Sequence, residues 1–467
     1  MPNSGKRYQQ VRKRQMNYSY DRRLTRFVNR YVKGRPTVIL LPGGMGSQLC
    51  KSEKKFKEDK PFKNSKFPVV WYDTGLLFEA DLKKMKMKRT HEGYEDNNRY
   101  IVVPDGGVRF LYKPYDDVKS FFESKGYNFV VFGFDWRSSL VECASYFQRF
   151  LNQMRDRVKE KHNEDLLPNL TMVAHSQGGL VMQFWLLRHF PPQTKKTELN
   201  KWFKTLFMVG TPFYGTSNHM QRYFEGEMAF NFLYGKDDVR QILSSFPGTY
   251  ILMPLDYEGY LSKKDALGLD DYPVLDPNGN VADPYDHQNF QYYPKWVSKD
   301  ALKEASQLRK TLNLELCDAV RPRVYNLYAT GEDKTYVQLK WNQQESPDDK
   351  PVTGKKGRGD GTVPEWSGRL VEVPDENVMN FKNIDNHVGI IEYPDVLDAI
   401  LNVMEKGVLP AQPAQLAYAP TVERVSKDEL NTFLNQIKTK KLKANQRAAT
   451  DPKFWKALFE EMGKCNV

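Results

Sequence analysis

Short runs of consecutive apolar residues recur along the chain, and segments with helical spacing of their apolar residues separate them. The runs at 37–41, 128–134, 170–173, 206–209 and 323–330 show little apolar–polar alternation, which is typical of parallel strands buried on both faces. Residues 146–158 and 392–408 have the spacing of amphipathic helices, and a helix-forming stretch also follows residue 176. Strands that alternate with helices in this way predict a mainly parallel α/β sheet.

The rhythm changes at several points, and these changes predict the organisation of the chain. Residues 1–35 form a basic arm, which we expect to be partly helical and to dock through Phe27, Val28, Tyr31 and Val32. Residues 343–358 are predicted as a polar loop, and residues 370–373 as a short strand. The predicted units are an arm at 1–35, a core at 36–215 and 321–408, a lid insertion at about 50–100, a cap at 216–320, and a linker with two helices at 409–467. The last two helices either pack on the body, the more common outcome, or bind a partner or membrane.

Composition narrows the class of protein. The 467 residues contain 13% aromatic and 40% hydrophobic residues, which favours a globular protein over a disordered one. The net charge of +12 favours contact with an anionic surface but does not choose between lipid and nucleic acid. The four cysteines have no CxxC spacing, so we expect thiols and no zinc site. A signal peptide and an apolar membrane span are not evident, so we expect a cytoplasmic or peripheral membrane protein, with non-classical secretion open.

Residues 169–188 contain the strongest chemical signal. The apolar run at 170–173 meets His-Ser-Gln-Gly-Gly, and the following residues favour a helix. A serine on such a strand–turn–helix elbow has its hydroxyl turned away from the sheet. The turn requires small neighbours, and Gly178 meets this requirement, while Ala174 stands where glycine is usual. The pattern predicts Ser176 as a nucleophile.

A second signal is the glycine-rich segment at 42–47, which follows the first predicted strand. Such a loop can direct a backbone N–H towards a developing oxyanion. The GKS or GKT sequence of a phosphate loop is absent, which argues against nucleotide binding.

A serine nucleophile needs a histidine to accept its proton and a carboxylate to orient that histidine. In α/β hydrolases the chain order is serine, acid, histidine. Two histidines lie suitably far downstream: His287, in a polar segment of the predicted cap, and His387, just before the closing helix. We predict His387 as the base and Asp360, in Gly-Asp-Gly-Thr-Val-Pro, as the acid. Asp385 is the alternative acid.

The chain now resembles the lecithin:cholesterol acyltransferase family, which includes lysosomal phospholipase A2 and phospholipid:diacylglycerol acyltransferase. The resemblance extends from about residue 36 to 405. It depends on the motifs PGGMGSQL (42–49), VWYD (70–73), FDWR (134–137), AHSQGG (174–179), GTPFYG (210–215), FPGTYILMP (246–254), VYNLY (324–328), GDGTVP (359–364) and the loop at His387. FDWR and GTPFYG are not general hydrolase features, which makes the match specific.

The resemblance implies an α/β-hydrolase fold with inserted cap and lid regions. It assigns Ser176, Asp360 and His387 to the catalytic triad. It also implies that the backbone N–H groups of Gly44 and Gln177 form the oxyanion hole. The resemblance also places Trp71 and Met45 in the lid or substrate-binding region. In the relatives a short-range disulfide holds this region, but here Cys50 has no cysteine nearby.

The lid region also carries a charge pattern of its own. Seven lysines between residues 51 and 66 precede an apolar stretch that contains Val69, Val70, Trp71, Leu76, Leu77 and Phe78. Lysines that seek anionic headgroups beside rings that enter the lipid boundary are what interfacial binding requires. The sequence therefore predicts a membrane contact here, with a solvated loop beside a core strand as the alternative.

Taken together, the residues predict a serine-dependent acyl transfer, and the resemblance implies a lipid substrate. We expect a lipid acyl hydrolase or acyltransferase whose partners are a phospholipid or other acyl-ester lipid and an anionic membrane surface, with no nucleic acid, cofactor or metal. A carboxylesterase for soluble or polymeric esters, or a basic binding protein without catalysis, is the alternative. Arg137 is either a structural partner beneath the site, which we favour, or a substrate contact.

Overall fold

The computed structural model describes residues 4–52, 69–71, 85–90, 93–96, 101–107, 114–226, 236–342 and 351–411. The strands are β1 (Thr37–Leu41), β2 (Ser47–Ser52), β3 (Val69–Trp71), β4 (Met87–Thr90), β5 (Gly93–Asp96), β6 (Ile101–Gly107), β7 (Asn128–Val131), β8 (Leu170–His175), β9 (Thr205–Val209), β10 (Val274–Leu275), β11 (Val324–Thr330), β12 (Thr335–Trp341), β13 (Val352–Gly357) and β14 (Val378–Lys382). The α-helices are α1 (Ser4–Arg30), α2 (Pro114–Ser124), α3 (Leu140–His162), α4 (Gln177–His189), α5 (Lys196–Leu199), α6 (Ser217–Glu225), α7 (Lys236–Leu243), α8 (Pro247–Tyr250), α9 (Tyr257–Leu267), α10 (Lys299–Leu312), α11 (Glu365–Gly368) and α12 (Pro394–Lys406).

The largest sheet in the described part of the chain has the order β14-β11-β9-β8-β1-β7, and all of its neighbouring strands are parallel. Every residue of β1, β8 and β9 is buried, as the continuous apolar runs predict. Helices cover both faces. This arrangement confirms the predicted α/β-hydrolase fold. The parallel direction brings the loops after β1, β8, β9, β11 and β14 to the same edge of the sheet.

The two faces of the sheet belong to two apolar clusters. Alternate residues of each central strand divide between them: Val38 and Leu40 join one cluster, whereas Ile39 and Leu41 join the other. The first cluster includes apolar residues of α2 and α12, and the second includes residues of α1, α3 and α4. The sheet is therefore a buried layer, and its loops have a rigid base.

The basic N-terminal segment forms the long helix α1, and it is part of the core. Met16, Tyr20 and Leu24, spaced four residues apart, are at most 1% exposed and lie in the same cluster as α3. Phe27, Val28 and Tyr31 are buried as predicted. The prediction for Val32 is wrong, because this side chain is 42% exposed; its backbone instead accepts and donates hydrogen bonds with the side chain of Asn128.

Two predictions on the later strands also need correction. Part of the predicted polar loop is β13, which pairs antiparallel with β12. Its exposed lysines gave no sign of a strand in the sequence, and residues 343–350 lie outside the described residues. Residues 370–373 do not form a strand. The Leu370 N–H donates to the side chain of Asn326 in β11, and the Val373 N–H donates to the Leu370 carbonyl, so neither N–H pairs with the backbone of a neighbouring strand. The neighbours of β11 in the sheet are β9 and β14.

The predictions for the lid and the C-terminal segment are tested only in part. Val70 and Trp71 are at most 1% exposed, so the prediction that these side chains enter a lipid boundary is wrong. Most of the lysine-rich stretch, residues 72–84, and the two helices predicted after the linker lie outside the described residues. Cys143 and Cys317 are buried thiols outside any disulfide. No helix in the described ranges has the length and apolar character needed to cross a bilayer.

Candidate active site

Ser176 lies at a sharp turn between β8 and α4. Its backbone has φ 51° and ψ −124°, a conformation that costs a non-glycine residue about 1–3 kcal/mol. The helix can approach so closely only because its first turn contains two glycines. A Cβ at Gly178 would lie 2.5 Å from the Pro42 carbonyl oxygen, and one at Gly179 would lie 2.6 Å from Thr211 Cγ2. The close packing therefore holds the serine in this strained conformation at the carboxyl edge of the sheet.

The serine hydroxyl meets a histidine and an aspartate from distant parts of the chain. Ser176 Oγ lies 2.8 Å from His387 Nε2, and His387 Nδ1 lies 2.6 Å from Asp360 Oδ2. The other oxygen of Asp360 accepts the N–H groups of Thr362, at 3.0 Å, and Val363, at 2.7 Å. Ser176, His387 and Asp360 are 8%, 1% and 2% exposed, so these contacts form in a largely water-free setting.

The competing sequence candidates lie elsewhere. Asp385 is about half exposed and forms an ion pair with Lys334, at 2.8 Å. His287 is 79% exposed and lies beside Asp286 in a short turn. Neither side chain has a recorded contact with Ser176 among the described residues. The arrangement therefore supports Asp360 over Asp385 and His387 over His287.

The glycine-rich loop after β1 lies against the serine turn. A Cβ at Gly44 would lie 2.8 Å from Gln177 Oε1, while Gln177 Nε2 donates to the carbonyl oxygens of Trp136, at 3.2 Å, and Gly248, at 3.4 Å. Gln177 is the first residue of α4, where an N–H has no intrahelical acceptor. Within the described ranges the backbone N–H groups of Gly44 and Gln177 have no hydrogen-bond acceptor. Two such groups can stabilise a negatively charged oxygen.

Met45 and Trp71 are linked to the same loop. Met45 has φ 56°, and its carbonyl oxygen accepts the indole N–H of Trp71 at 2.7 Å. The Trp71 ring lies edge-on to Trp136, with ring centroids 5.1 Å apart. Trp71 thus supports the backbone next to Gly44 through this hydrogen bond, and a role of either residue in substrate binding stays a prediction.

Two polar residues of the site were missed by the sequence analysis. His175, directly before the serine, and Tyr115, in the first turn of α2, are 2% and 3% exposed. The Tyr115 hydroxyl lies 3.0 Å from His175 Nδ1 and accepts the Gly43 N–H at 2.9 Å. Burial and the nearby His387 lower the pKa of His175 to about 3, so its ring is neutral at ordinary pH. The position of His175 beside Ser176 is visible in the sequence, but nothing local indicates Tyr115.

The FDWR segment contributes two residues, Asp135 and Arg137, to a buried cluster of ion pairs. Arg137 is fully buried and forms ion pairs with Asp135 and Asp96, both at 2.8 Å. Arg12 of α1 joins Asp135 at 2.8 Å and also pairs with Glu142. Burial opposes ionisation of Asp135, but the two arginines outweigh it and lower its pKa. These contacts agree with the structural role favoured for Arg137, and they tie the N-terminal helix to the core.

The chemical capacity of the site follows from these contacts. A hydroxyl bonded to an oriented imidazole, beside two N–H groups without acceptors, is suited to acyl transfer through a covalent acyl-serine. Among the described residues no group of three histidine, cysteine or acidic side chains is arranged to hold a metal ion.

A mainly parallel sheet with a serine on a strand–turn–helix elbow and a histidine after its last strand defines an α/β hydrolase. The chain belongs to the lecithin:cholesterol acyltransferase family, whose sequence profile matches residues 111–344, half of the chain. This match confirms the resemblance found in the motifs. Membership of this family indicates the general class of activity, which is that of lipid acyl hydrolases and acyltransferases.

Three solved structures illustrate what the chain is similar to. The crystal structure of the Tle4–Tli4 complex is 15% identical, covers 80% of this chain and 99% of that chain, and has a TM-score of 0.45. The Bacillus licheniformis lipase BlEst2 is 11% identical over 80% of this chain and 93% of its own, with a TM-score of 0.33. The Staphylococcus hyicus lipase is 14% identical over 80% and 97%, with a TM-score of 0.32. A search of curated protein sequences gives no match.

Proposed function

We propose that the protein is a serine-dependent lipid acyl hydrolase or acyltransferase that works through an acyl-enzyme at a lipid surface. The observation that carries the proposal is the continuous contact from Asp360 through His387 to Ser176, at 2.6 and 2.8 Å. Family membership supports the lipid substrate class.

In the first half-reaction Ser176 Oγ attacks the carbonyl carbon of the ester while His387 Nε2 takes the hydroxyl proton. The carbonyl electrons move onto the oxygen, which the N–H groups of Gly44 and Gln177 stabilise. Collapse of the tetrahedral intermediate breaks the bond to the alcohol, which leaves with the proton from His387. Asp360 holds the imidazole with its proton on Nδ1 and stabilises the imidazolium.

In the second half-reaction water or another alcohol attacks the acyl-serine, with His387 again as the base. Water gives a free fatty acid, and an alcohol gives a new ester; both routes regenerate the serine hydroxyl. The two routes need the same protein groups, so the choice depends on which acceptor reaches the acyl-enzyme.

The test compares Ser176→Ala with Ser244→Ala. Both serines are 8% exposed, but the Ser244 hydroxyl only donates to the Gln241 carbonyl in its own helix turn. We expect Ser176→Ala to lose phospholipid hydrolysis by about 10⁴-fold or more, and to lose labelling by a fluorophosphonate, while Ser244→Ala keeps both. Turnover by Ser176→Ala above a few per cent of the original would exclude the mechanism.

Analysis of the products then distinguishes hydrolysis from acyl transfer to an alcohol. Mixed phospholipid vesicles are incubated with and without a long-chain alcohol, and fatty acid and new ester are quantified. A soluble short-chain ester is run in parallel. Preference for the soluble ester over vesicles would favour the carboxylesterase alternative, whereas the absence of both fluorophosphonate labelling and ester turnover in the original protein would favour a non-catalytic role.

A further inference from the structure

Four groups at the carboxyl edge of the sheet form a continuous series of hydrogen bonds. The Gly43 N–H donates to the Tyr115 hydroxyl oxygen at 2.9 Å, and that oxygen lies 3.0 Å from His175 Nδ1. His175 Nε2 lies 3.0 Å from the backbone carbonyl oxygen of His387. The series starts in the loop that contains Gly44 and ends on the backbone of the histidine that contacts Ser176.

The chemistry of the groups fixes the direction of every bond. A carbonyl oxygen only accepts, so His175 Nε2 carries a proton and donates it to His387. A neutral imidazole has one such proton, so His175 Nδ1 accepts the Tyr115 O–H. The Tyr115 oxygen in turn accepts from Gly43. All three bonds run the same way, and bonds in such a series polarise one another and reinforce the arrangement.

The tyrosine ring is held on several sides. A Cβ at Gly46 would lie 2.6 Å from the Tyr115 hydroxyl, and one at Gly107 would lie 3.1 Å from Tyr115 Cδ2. A Cβ at Gly43 would lie 3.1 Å from His175 Nδ1. Glycines thus allow the backbone to approach the tyrosine and histidine rings closely, and both rings are packed against it.

We propose that Tyr115 and His175 are positioning residues that hold the oxyanion loop and the His387 loop in register. The inference rests on the proposed function, because it assigns what these residues do for that site. Tyr115 fixes the Pro42–Gly43 peptide, which adjoins the peptide that carries the Gly44 N–H, and His175 fixes the backbone of the proposed base. Since both act through one hydrogen-bonded unit, loss of one member should disturb the donors for the oxyanion and the base together.

The primary test is Tyr115→Phe, with Tyr20→Phe as the matched control. Both tyrosines are at most 3% exposed, but the Tyr20 hydroxyl has no hydrogen-bond partner among the described residues. Tyr115→Phe leaves the buried Gly43 N–H and His175 Nδ1 without partners. We expect kcat on phospholipid vesicles to fall about 10- to 100-fold, because a smaller fraction of the enzyme molecules then holds the oxyanion donors and His387 in the reactive arrangement. KM should stay within about 3-fold, because the substrate contacts remain. Tyr20→Phe should keep both constants.

A second arm substitutes His175. Glutamine places an amide N–H close to where the imidazole Nε2–H lies, so His175→Gln keeps donation to the His387 carbonyl, whereas His175→Ala does not. We expect the kcat of His175→Gln to exceed that of His175→Ala by at least about 10-fold, which corresponds to the contribution of one buried hydrogen bond to the stability of the reactive arrangement. In the His175→Gln background, Tyr115→Phe should lower kcat less than it does in the original protein, because the series is already interrupted.

The outcomes separate this inference from the proposed function. Kinetics of Tyr115→Phe equal to those of Tyr20→Phe, or no recovery by His175→Gln, would overturn the positioning role while Ser176→Ala still tested the mechanism. A fall in kcat matched by an equal loss of fluorophosphonate-titrated enzyme would also overturn it, since such a loss reports fewer folded molecules. Melting temperatures of all variants are measured alongside.

Discussion

Replacing Asp360 by asparagine tests the proposed acid with almost no change of shape. One carboxylate oxygen contacts His387 Nδ1 at 2.6 Å, and the other accepts two backbone N–H groups, from Thr362 and Val363. In Asp360→Asn the amide oxygen will face those two donors, because the opposite orientation would direct an NH₂ group against them. The amide NH₂ then faces His387 Nδ1.

This orientation imposes the wrong tautomer on the histidine. With a donor opposite Nδ1, the neutral imidazole carries its proton on Nε2, which then points at Ser176 Oγ and cannot take a proton from it. A change of this kind lowers turnover by about 10⁴-fold at neutral pH in the known triad. We expect the same order of loss for Asp360→Asn, with little change in KM or melting temperature.

The control is Asp385→Asn. Asp385 is about half exposed, and its ion pair with Lys334 contributes at most about 1 kcal/mol to stability, as exposed pairs do. Its replacement should leave kcat within about 2-fold, because the side chain does not contact the imidazole. The assay measures phospholipid hydrolysis at neutral pH. Fluorophosphonate titration gives the active fraction of the original protein, and the variants are compared with it at equal protein concentration. A 10⁴-fold loss in Asp385→Asn together with an active Asp360→Asn would refute the reasoning.

Three further predictions address stability and lipid binding. Gly179→Ala should lower the free energy of unfolding by about 1–3 kcal/mol in urea titration, because its Cβ would overlap Thr211; an unchanged midpoint would contradict the close packing. Arg12→Met should cost about 3 kcal/mol in the same assay, because it removes a partner from the buried Asp135. Replacing four of the seven lysines between 51 and 66 by glutamine should weaken sedimentation with anionic vesicles at low salt, since each contributes about 1 kcal/mol near such a surface. Binding equal to that of the original protein would move the proposed contact to another basic segment.

Local patterns predicted the central strands and the serine turn well. β1 begins and ends where the apolar run 37–41 does, because a strand buried on both faces must be apolar throughout. The turn at Ser176 depends on adjacent residues, so its motif contains the strand, the glycines and the helix together. Chain order then selected His387 and Asp360 from the other candidates, since the connections that follow the strands of a parallel sheet begin at the same edge.

Contacts between distant segments could not be read in this way. β13 has exposed lysines, and only its pairing with β12 makes it a strand. Arg12 looks like one of many basic residues in a solvated arm until its partner Asp135, 123 positions away, is known. The local sequence of β13 and of the N-terminal segment predicts these contacts poorly, because the free energy that stabilises each conformation comes from a partner far away in the sequence.

His175 shows how the two kinds of information combine. A histidine adjacent to a proposed nucleophile could be taken for its base, and in the sequence only the chain order of the α/β hydrolases argues against it. The structure supplies one, because Nε2 is committed to a carbonyl oxygen and Nδ1 to the Tyr115 hydroxyl, while burial lowers the pKa to about 3. An imidazole with both nitrogens engaged and so little tendency to bind a proton cannot serve as a general base near neutral pH. What remains for it is directional hydrogen bonding, and the group to which it donates is the backbone of His387, the residue that does contact the serine.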